Sequence, residues 1–213
     1  MRVRVAFAKT EAMRFTSHLD LQRAWERTFR RAALPLSYTQ GFRPHPRLNI
    51  ASALPLGFTS EGEVLDAWLE QTIPLQNIQK ILEQTLPPGL KIFNIQEINY
   101  HAPALQSELE AAEFTITLLE PAADLASRVE ELLTAEHLSR QRRQKSYDLR
   151  PLILRLCVQP EDDQGRQRLL AILSAREGST GRPEEVVAAL GLSPGKVRIH
   201  RKWLIFHQAI LGE

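Results

Sequence analysis

The sequence predicts an α+β fold built from two tandem ferredoxin-like halves, each with the element order β-α-β-β-α-β. Short segments in which apolar and polar residues alternate predict the strands, and longer segments with apolar residues three or four apart predict the helices. The same order of segments then occurs twice along the 213 residues. Because no repeat of individual residues accompanies that order, the duplication is inferred from the elements alone.

The first predicted half covers residues 1–98 and opens with a strand. Arg2 and Arg4 alternate there with apolar residues, so we expect a half-buried strand whose arginines face solvent. Ser17 is a good N-cap for the helix that follows, which continues to about Ala33. The remaining predicted elements of this half are a strand at 47–53, a strand at 62–71, a helix at 75–86 and a strand at 90–98.

A linker at 99–110 is predicted to precede a second half at 111–213. We expect Cys157 to be buried and Trp203 to lie in the core. Four apolar residues of one predicted strand share a face, namely Leu152, Leu154, Leu156 and Val158. The predicted elements of this half are strands at 112–120, 148–160, 166–175 and 196–206 and helices at 123–138 and 181–191.

The composition is that of an ordinary globular protein. Hydrophobic residues make up 43% of the chain and charged residues 24%, which is enough apolar material for a core. The single cysteine excludes an internal disulfide framework, so we expect a reducing, cytoplasmic setting. No signal peptide precedes the first strand, and no apolar run reaches the roughly 18 residues that span a bilayer.

Positive charge is concentrated in two segments. Residues 14–47 hold seven arginines against Asp20 and Glu26, and residues 137–155 hold six basic residues against Asp148. The rest of the chain is therefore acidic, although the net charge is +2. Such segments indicate an anionic partner, most simply a nucleic acid. The alternative is two solvated basic faces that nearby carboxylates neutralise.

Two groups of candidate nucleic-acid-binding residues lie in the first basic segment. One is a helical stripe with i, i+4, i+7 spacing, whose arginines present forks that suit phosphate oxygens. The other is the stretch at 38–47, where Gly41 allows a tight turn and two prolines favour an extended, rigid ledge. The stripe consists of Arg23, Arg27 and Arg30, and the ledge presents Arg43, His45 and Arg47.

The second half contributes two more groups. Residues 139–151 are predicted to form a flexible, arginine-rich loop that becomes ordered on RNA, although a disordered loop without a partner fits equally well. The last strand presents basic side chains on one face, and Tyr147 or Trp203 is placed to stack on a base. The candidate residues are Arg142, Arg143, Lys145 and Arg150 in the loop and Lys196 and Arg198 in the last strand.

The sequence contains no fingerprint of a cofactor or metal site. Its six histidines lack metal-binding spacing, and no phosphate-binding glycine loop, nucleophile elbow or dinucleotide motif occurs. We therefore assign no cofactor and no metal. His45 and His18 are weak candidates for acid–base catalysis, since a lone histidine is more often structural.

The first basic segment resembles the radical SAM-linked proteins, an uncharacterised bacterial family. The resemblance runs from Phe7 through Leu69 and rests on the motifs "SHLDL", "GFRPHP" and "LPLG"; a weaker match is "KSYDLRPLI" at 145–153. It implies a protein encoded beside, or fused to, a radical SAM enzyme with a cobalamin-binding domain, and it implies no established activity. With one cysteine, this chain cannot itself hold a radical SAM iron–sulfur cluster.

Three functions are compatible with the sequence. The first is a non-catalytic RNA-binding module that presents a tRNA or rRNA to a partner radical SAM enzyme. The second is a metal-independent RNA endonuclease in which His45 or His18 acts as base and Arg43 stabilises charge on phosphate. The third is an adaptor that binds only the radical SAM enzyme. RNA affinity, RNA cleavage and co-purification without nucleic acid would distinguish them.

Overall fold

The computed structural model describes residues 1–142 and 144–207, and it confirms the α+β class. The described residues form four α-helices and eleven β-strands together with short 3-10 turns. The chain divides into two compact units, Met1–Glu108 (unit 1) and Leu109–Glu213 (unit 2). Each unit follows the predicted order β-α-β-β-α-β, and unit 2 carries three additional short strands. That the two units are ferredoxin-like domains stays a prediction, which this order of elements supports.

Unit 1 contains one antiparallel sheet and two helices. The strands lie in the order β4-β1-β3-β2, so the first strand is central and the second is at an edge. The second strand is shorter than the predicted 47–53. The elements are β1 (Arg2–Lys9), α1 (His18–Arg31), β2 (Leu48–Ile50), β3 (Thr59–Trp68), α2 (Leu75–Thr85) and β4 (Leu90–Ile98).

The core of unit 1 lies between the helices and one face of the sheet. Ser17 is the N-cap of α1 as predicted, because its side chain accepts a hydrogen bond from the backbone N–H of Asp20 at 3.2 Å. The apolar side of α1 then packs on alternate residues of β1, with Phe7 edge-on to Trp25 at 4.9 Å between ring centroids. The intervening residues, including Arg2 and Arg4, therefore lie on the opposite face of the sheet.

The predicted linker at 99–110 is not a free connection. Residues 99–108 belong to unit 1, and residues 109–110 already begin the next strand. Leu105 is completely buried, and Gln106 Nε2 donates a hydrogen bond to the Ile50 carbonyl at 2.8 Å. This segment covers part of the sheet face that the helices leave open, because the Arg2 side chain also donates hydrogen bonds to the Ala102 and Pro103 carbonyls.

In unit 2 the strands pair antiparallel in the order β8-β9-β5-β11, and β10 pairs with the end of β9. Pro183 occupies the first turn of the last helix, as predicted. The elements are β5 (Leu109–Leu118), α3 (Leu125–Thr134), β6 (Ser139–Arg142), β7 (Lys145–Asp148), β8 (Ile153–Gln159), β9 (Arg168–Arg176), β10 (Ser179–Thr180), α4 (Pro183–Ala189) and β11 (Val197–Phe206).

Two predicted burial patterns of unit 2 are wrong because strands shift register. In β11 an extra residue lies between Arg201 and Trp203, so the alternation reverses and Trp203 is 55% exposed instead of lying in the core. A similar shift between Ile153 and Arg155 turns Leu154 outward. Val158 is also exposed and Cys157 is only half-buried, so the predicted apolar face of β8 does not form.

Candidate nucleic-acid interface

The stretch predicted as an extended ledge is a hairpin-like loop in unit 1. Tyr38 forms a β-bridge with Pro46. The Thr39 backbone N–H donates to the His45 carbonyl at 2.9 Å, and the His45 N–H donates to Thr39 Oγ1 at 3.0 Å. The chain reverses at Gly41, whose φ of +129° is open to glycine and costly for other residues. We call residues 37–47 the basic loop.

The tip of the basic loop presents aromatic and cationic side chains to solvent. Phe42 is fully exposed, and Arg43 and His45 are exposed beside it. Among the described residues, neither the Arg43 guanidinium nor the His45 ring has a hydrogen-bond or ion-pair partner. The loop therefore keeps the two side chains that the sequence singled out available to a partner, although on a turn instead of an extended segment.

Arg47, at the base of this loop, is held by aromatic rings. Its guanidinium carbon lies 4.7 Å from the Trp68 ring centroid and 5.6 Å from the Tyr100 centroid. Its Nη1 donates a hydrogen bond to Tyr100 Oη at 2.9 Å. We call Trp68, Arg47 and Tyr100 the Arg47 stack. The sequence predicted Arg47 as a candidate, but it gave no indication of the two rings.

The arginines of β1, which were expected to face solvent, are buried around one carboxylate. Arg2 Nη2 lies 2.6 Å from Asp66 Oδ2, and Arg4 Nε lies 2.8 Å from Asp66 Oδ1. Arg2 is 2% exposed and Asp66 is completely buried. The expectation fails because β3 places a carboxylate opposite Arg4 and the segment after β4 covers this face. A buried guanidinium requires such a partner.

The predicted arginine stripe of α1 does not join the Arg47 stack. Arg2 lies 4.5 Å from the Trp68 ring, which places the stack on the sheet face opposite α1. On α1, Arg23 pairs with Asp20 at 3.2 Å and Arg27 donates to the Arg23 carbonyl. The third member, Arg30, is exposed on the same helix. His18, the other candidate base, is half-buried at the start of α1.

The arginine-rich loop predicted at 139–151 is largely a β-hairpin. Strands β6 and β7 pair in register, with Arg140 opposite Tyr147 and Arg142 opposite Lys145. The turn includes Gln144, which has a positive φ of 68°. Arg142 and Lys145 are exposed, and neither has an ion-pair partner among the described residues. Arg143 is a predicted site residue that lies outside the described residues.

Asp148 closes the base of this hairpin. Its carboxylate accepts hydrogen bonds from the backbone N–H groups of Leu138 at 2.8 Å and Arg150 at 3.0 Å, and it contacts His137 Nδ1 at 2.8 Å. These interactions, the one with the His137 ring first, lower the pKa of Asp148 to about 2. Nearby, burial raises the pKa of Tyr147. The hairpin is therefore fixed at its base and most highly charged at its turn.

Some predicted binding residues have structural contacts. Arg150 donates two hydrogen bonds to the Leu133 carbonyl in the last turn of α3, at 3.2 and 3.0 Å. Lys196 lies in a short 3-10 turn before β11 and pairs with Glu120 at 2.6 Å. Arg198 lies on β11 and is exposed. The first of these arrangements leaves few donors of Arg150 for a partner.

Residues 1–142 and 144–207 contain no group of three histidine, cysteine, aspartate or glutamate side chains arranged to hold a metal ion. Within the same ranges, no helix combines the length and the apolar composition that a membrane crossing requires.

The fold and the basic regions define an α+β protein of two units, with exposed cations in the basic loop of unit 1 and at the hairpin turn of unit 2. A family model described as "Uncharacterized protein conserved in bacteria (DUF2344)" matches residues 2–183. Because the match covers most of the chain, the protein belongs to this bacterial family. A comparison with curated proteins finds no match.

A solved structure with a similar course of the chain is titled as the crystal structure of the archaeal box H/ACA sRNP Nop10–Cbf5 complex. The sequence identity is 9% and the TM-score is 0.45. The similarity covers 93% of this chain and 46% of the other, so this chain spans less than half of that protein.

Proposed function

We propose that this protein is a non-catalytic RNA-binding accessory protein, which presents an RNA such as tRNA or rRNA to a partner radical SAM enzyme. The observation that carries the proposal is that each unit exposes cations without a carboxylate partner among the described residues. These are Arg43 in the basic loop of unit 1 and Arg142 and Lys145 at the hairpin turn of unit 2.

The hairpin turn gives the clearest physical argument for an anionic ligand. Arg142 and Lys145 are directly opposite each other, and like charges in that position destabilise an antiparallel pair. A two-stranded hairpin of four-residue strands has little stability of its own to offset this repulsion. A phosphate between the two cations would turn the repulsion into attraction, and RNA supplies phosphates in series.

The partner enzyme is proposed from the sequence resemblance. The motifs between Phe7 and Leu69 resemble those of radical SAM-linked proteins, and they include the basic loop itself. One cysteine cannot supply the ligands of a radical SAM cluster, so the chemistry would belong to the partner. Under this proposal the chain contributes the RNA-binding surface and the partner contributes the reaction.

The test is a filter-binding titration with a pool of small cellular RNAs at increasing salt concentration. We expect measurable affinity at low salt that falls steeply as salt rises, because phosphate contacts release counterions. The double variant Arg142→Ala/Lys145→Ala should bind more weakly, and its log–log salt slope should decrease by about 1.4 if both contacts are to single-stranded phosphates. Lys80→Ala removes an exposed cation of α2 and serves as the control.

The outcomes separate the three functions. Absence of RNA affinity at low salt contradicts the proposal, and co-purification of a radical SAM enzyme without nucleic acid would then favour an adaptor. Cleavage of the RNA pool that is lost in His45→Ala would instead show an endonuclease. Binding of intact RNA that depends on Arg142 and Lys145 supports an accessory protein.

A further inference from the structure

The Arg47 stack has the form of a preorganised phosphate site. The Arg47 backbone is fixed on both sides, because its N–H donates to the Ser37 carbonyl at 2.8 Å and its carbonyl accepts from the Trp68 N–H at 3.1 Å. The guanidinium is then held by the Trp68 and Tyr100 rings and by the Tyr100 hydroxyl. A side chain that is already held in place loses little conformational entropy when it binds a ligand.

The charges around the stack leave Arg47 without a counterion. Asp66, the nearby buried carboxylate, accepts four hydrogen bonds from Arg2 and Arg4. Among the described residues, Arg47 has no ion-pair partner. Its guanidinium has five N–H donors, and one of them donates to the Tyr100 hydroxyl. A half-buried guanidinium with open donors binds the oxygens of a phosphate well, since the planar fork matches their geometry.

The residues next to Arg47 supply exposed rings. Tyr100 is 43% exposed, and His101 lies edge-on to it at 5.2 Å between centroids. Exposed aromatic rings beside a fixed cation are the arrangement by which proteins bind single-stranded nucleic acids, with a base on the ring and the adjoining phosphate on the cation. In a duplex the bases are stacked on each other and cannot occupy such a ring.

We propose that the Arg47 stack binds one nucleotide of a single-stranded RNA segment, with the phosphate on the Arg47 guanidinium and the base on the Tyr100 ring. The inference rests on the proposed function and makes it specific, because it names an unpaired segment of RNA as the ligand of unit 1. A free nucleotide has the same chemistry, and it is therefore included in the test.

The test compares binding of a labelled single-stranded RNA oligonucleotide, the corresponding RNA duplex and AMP. We expect Arg47→Ala and Tyr100→Ala each to weaken single-strand binding about tenfold. Tyr100→Ala should leave duplex binding within about twofold, since no base stacks on the ring there. Tyr100→Phe keeps the ring and should bind within about threefold of the unaltered protein. Lys80→Ala and Phe93→Ala remove an exposed cation and an exposed ring elsewhere in unit 1.

A spectroscopic measurement reports on the site through Trp68, which is itself a member of the stack. In a Trp203→Phe protein the remaining tryptophans are Trp68 and Trp25, and Trp25 is completely buried in the core of unit 1. We expect single-stranded RNA to change the emission of Trp68, and we expect Arg47→Ala to remove that change. If an alanine substitution in the stack lowers the unfolding temperature, the change in Trp68 emission still shows whether single-stranded RNA binds at the stack.

The result that overturns the inference is RNA binding that depends on Arg142 and Lys145 but is unaffected by Arg47→Ala and Tyr100→Ala, with no change in Trp68 emission. The proposed function would stand in that case. Absence of RNA binding by the unaltered protein would contradict both the proposed function and the inference about the Arg47 stack. Binding of AMP as tightly as the oligonucleotide would show a free-nucleotide site and would also overturn the assignment to RNA.

Discussion

Two clusters of positive charge in this protein differ in whether a carboxylate compensates them. In unit 1, Arg2 and Arg4 are buried and share the carboxylate of Asp66. In unit 2, Arg142 and Lys145 face each other across an exposed hairpin turn, and neither has an ion-pair partner among the described residues. Both clusters are stretches of alternating or adjacent basic residues in the sequence, so local composition does not distinguish them.

The difference shows which cations are available to a partner. A buried guanidinium is retained only where a carboxylate compensates it, so Arg2 and Arg4 serve the structure of unit 1. Exposed cations that repel each other destabilise the hairpin slightly, so Arg142 and Lys145 do not serve its stability. The basic loop is intermediate, because Arg47 is half-buried and held by rings instead of by a carboxylate.

The largest expected effect is on the buried cluster. Asp66→Asn would leave two buried guanidinium groups without a counter-charge, and we expect the free energy of unfolding to fall by about 3–5 kcal/mol. Urea denaturation would measure it. A matched triple variant, Arg2→Met/Arg4→Met/Asp66→Leu, should be far less destabilised, because it removes every charge of the cluster together. A loss below about 1 kcal/mol in Asp66→Asn would contradict a structural role.

A second effect concerns Arg150, which the sequence placed with the RNA-binding residues. Arg150→Ala removes two hydrogen bonds to the Leu133 carbonyl at the end of α3, and we expect a loss of about 1.5 kcal/mol in unfolding free energy. RNA affinity should change less than in the Arg142→Ala/Lys145→Ala variant. A large loss of affinity without loss of stability would return Arg150 to the binding surface.

A third variant should move stability and binding in opposite directions. Lys145→Glu places a carboxylate opposite Arg142, which should stabilise the hairpin by about 0.2–1 kcal/mol. The same change should weaken RNA binding, because it replaces a cation by an anion at the turn. Amide hydrogen exchange in β6 and β7 and the filter-binding titration would measure the two effects. If RNA affinity rises together with the stability of the hairpin, Lys145 has no ligand-binding role.

The smallest effect is the pH dependence of the hairpin base. Because the pKa of Asp148 is lowered to about 2 in the folded protein, its ionised form stabilises the folded state above the unfolded-state pKa near 3.8. That contribution should be lost as the pH falls from about 4 towards 2. The protection of the Leu138 and Arg150 amides against exchange should report this loss, and Asp148→Asn should remove the pH dependence of that protection. If the protection of these amides depends on pH in the variant as it does in the unaltered protein, another group causes the pH dependence.

The local signals of the sequence were sufficient for the order of elements. Ser17 is the N-cap of α1, Pro183 lies in the first turn of α4, and both units follow β-α-β-β-α-β. These features depend on near neighbours, since a cap or a period of two is complete within a few residues. The sequence also identified Arg43, Arg47, Arg142 and Lys145 as candidates, because clustering of charge is visible without a fold.

Only the tertiary structure decided which charges are compensated and which rings stand beside them. Asp66 is 62 residues from Arg4, and Tyr100 is 53 residues from Arg47, so no local pattern could have paired them. The register shift in β11 likewise turned Trp203 outward, which alternation alone could not foresee. The sequence by itself determined the elements and where charge accumulates, because both are local. Burial and pairing depend on which distant segments fold together.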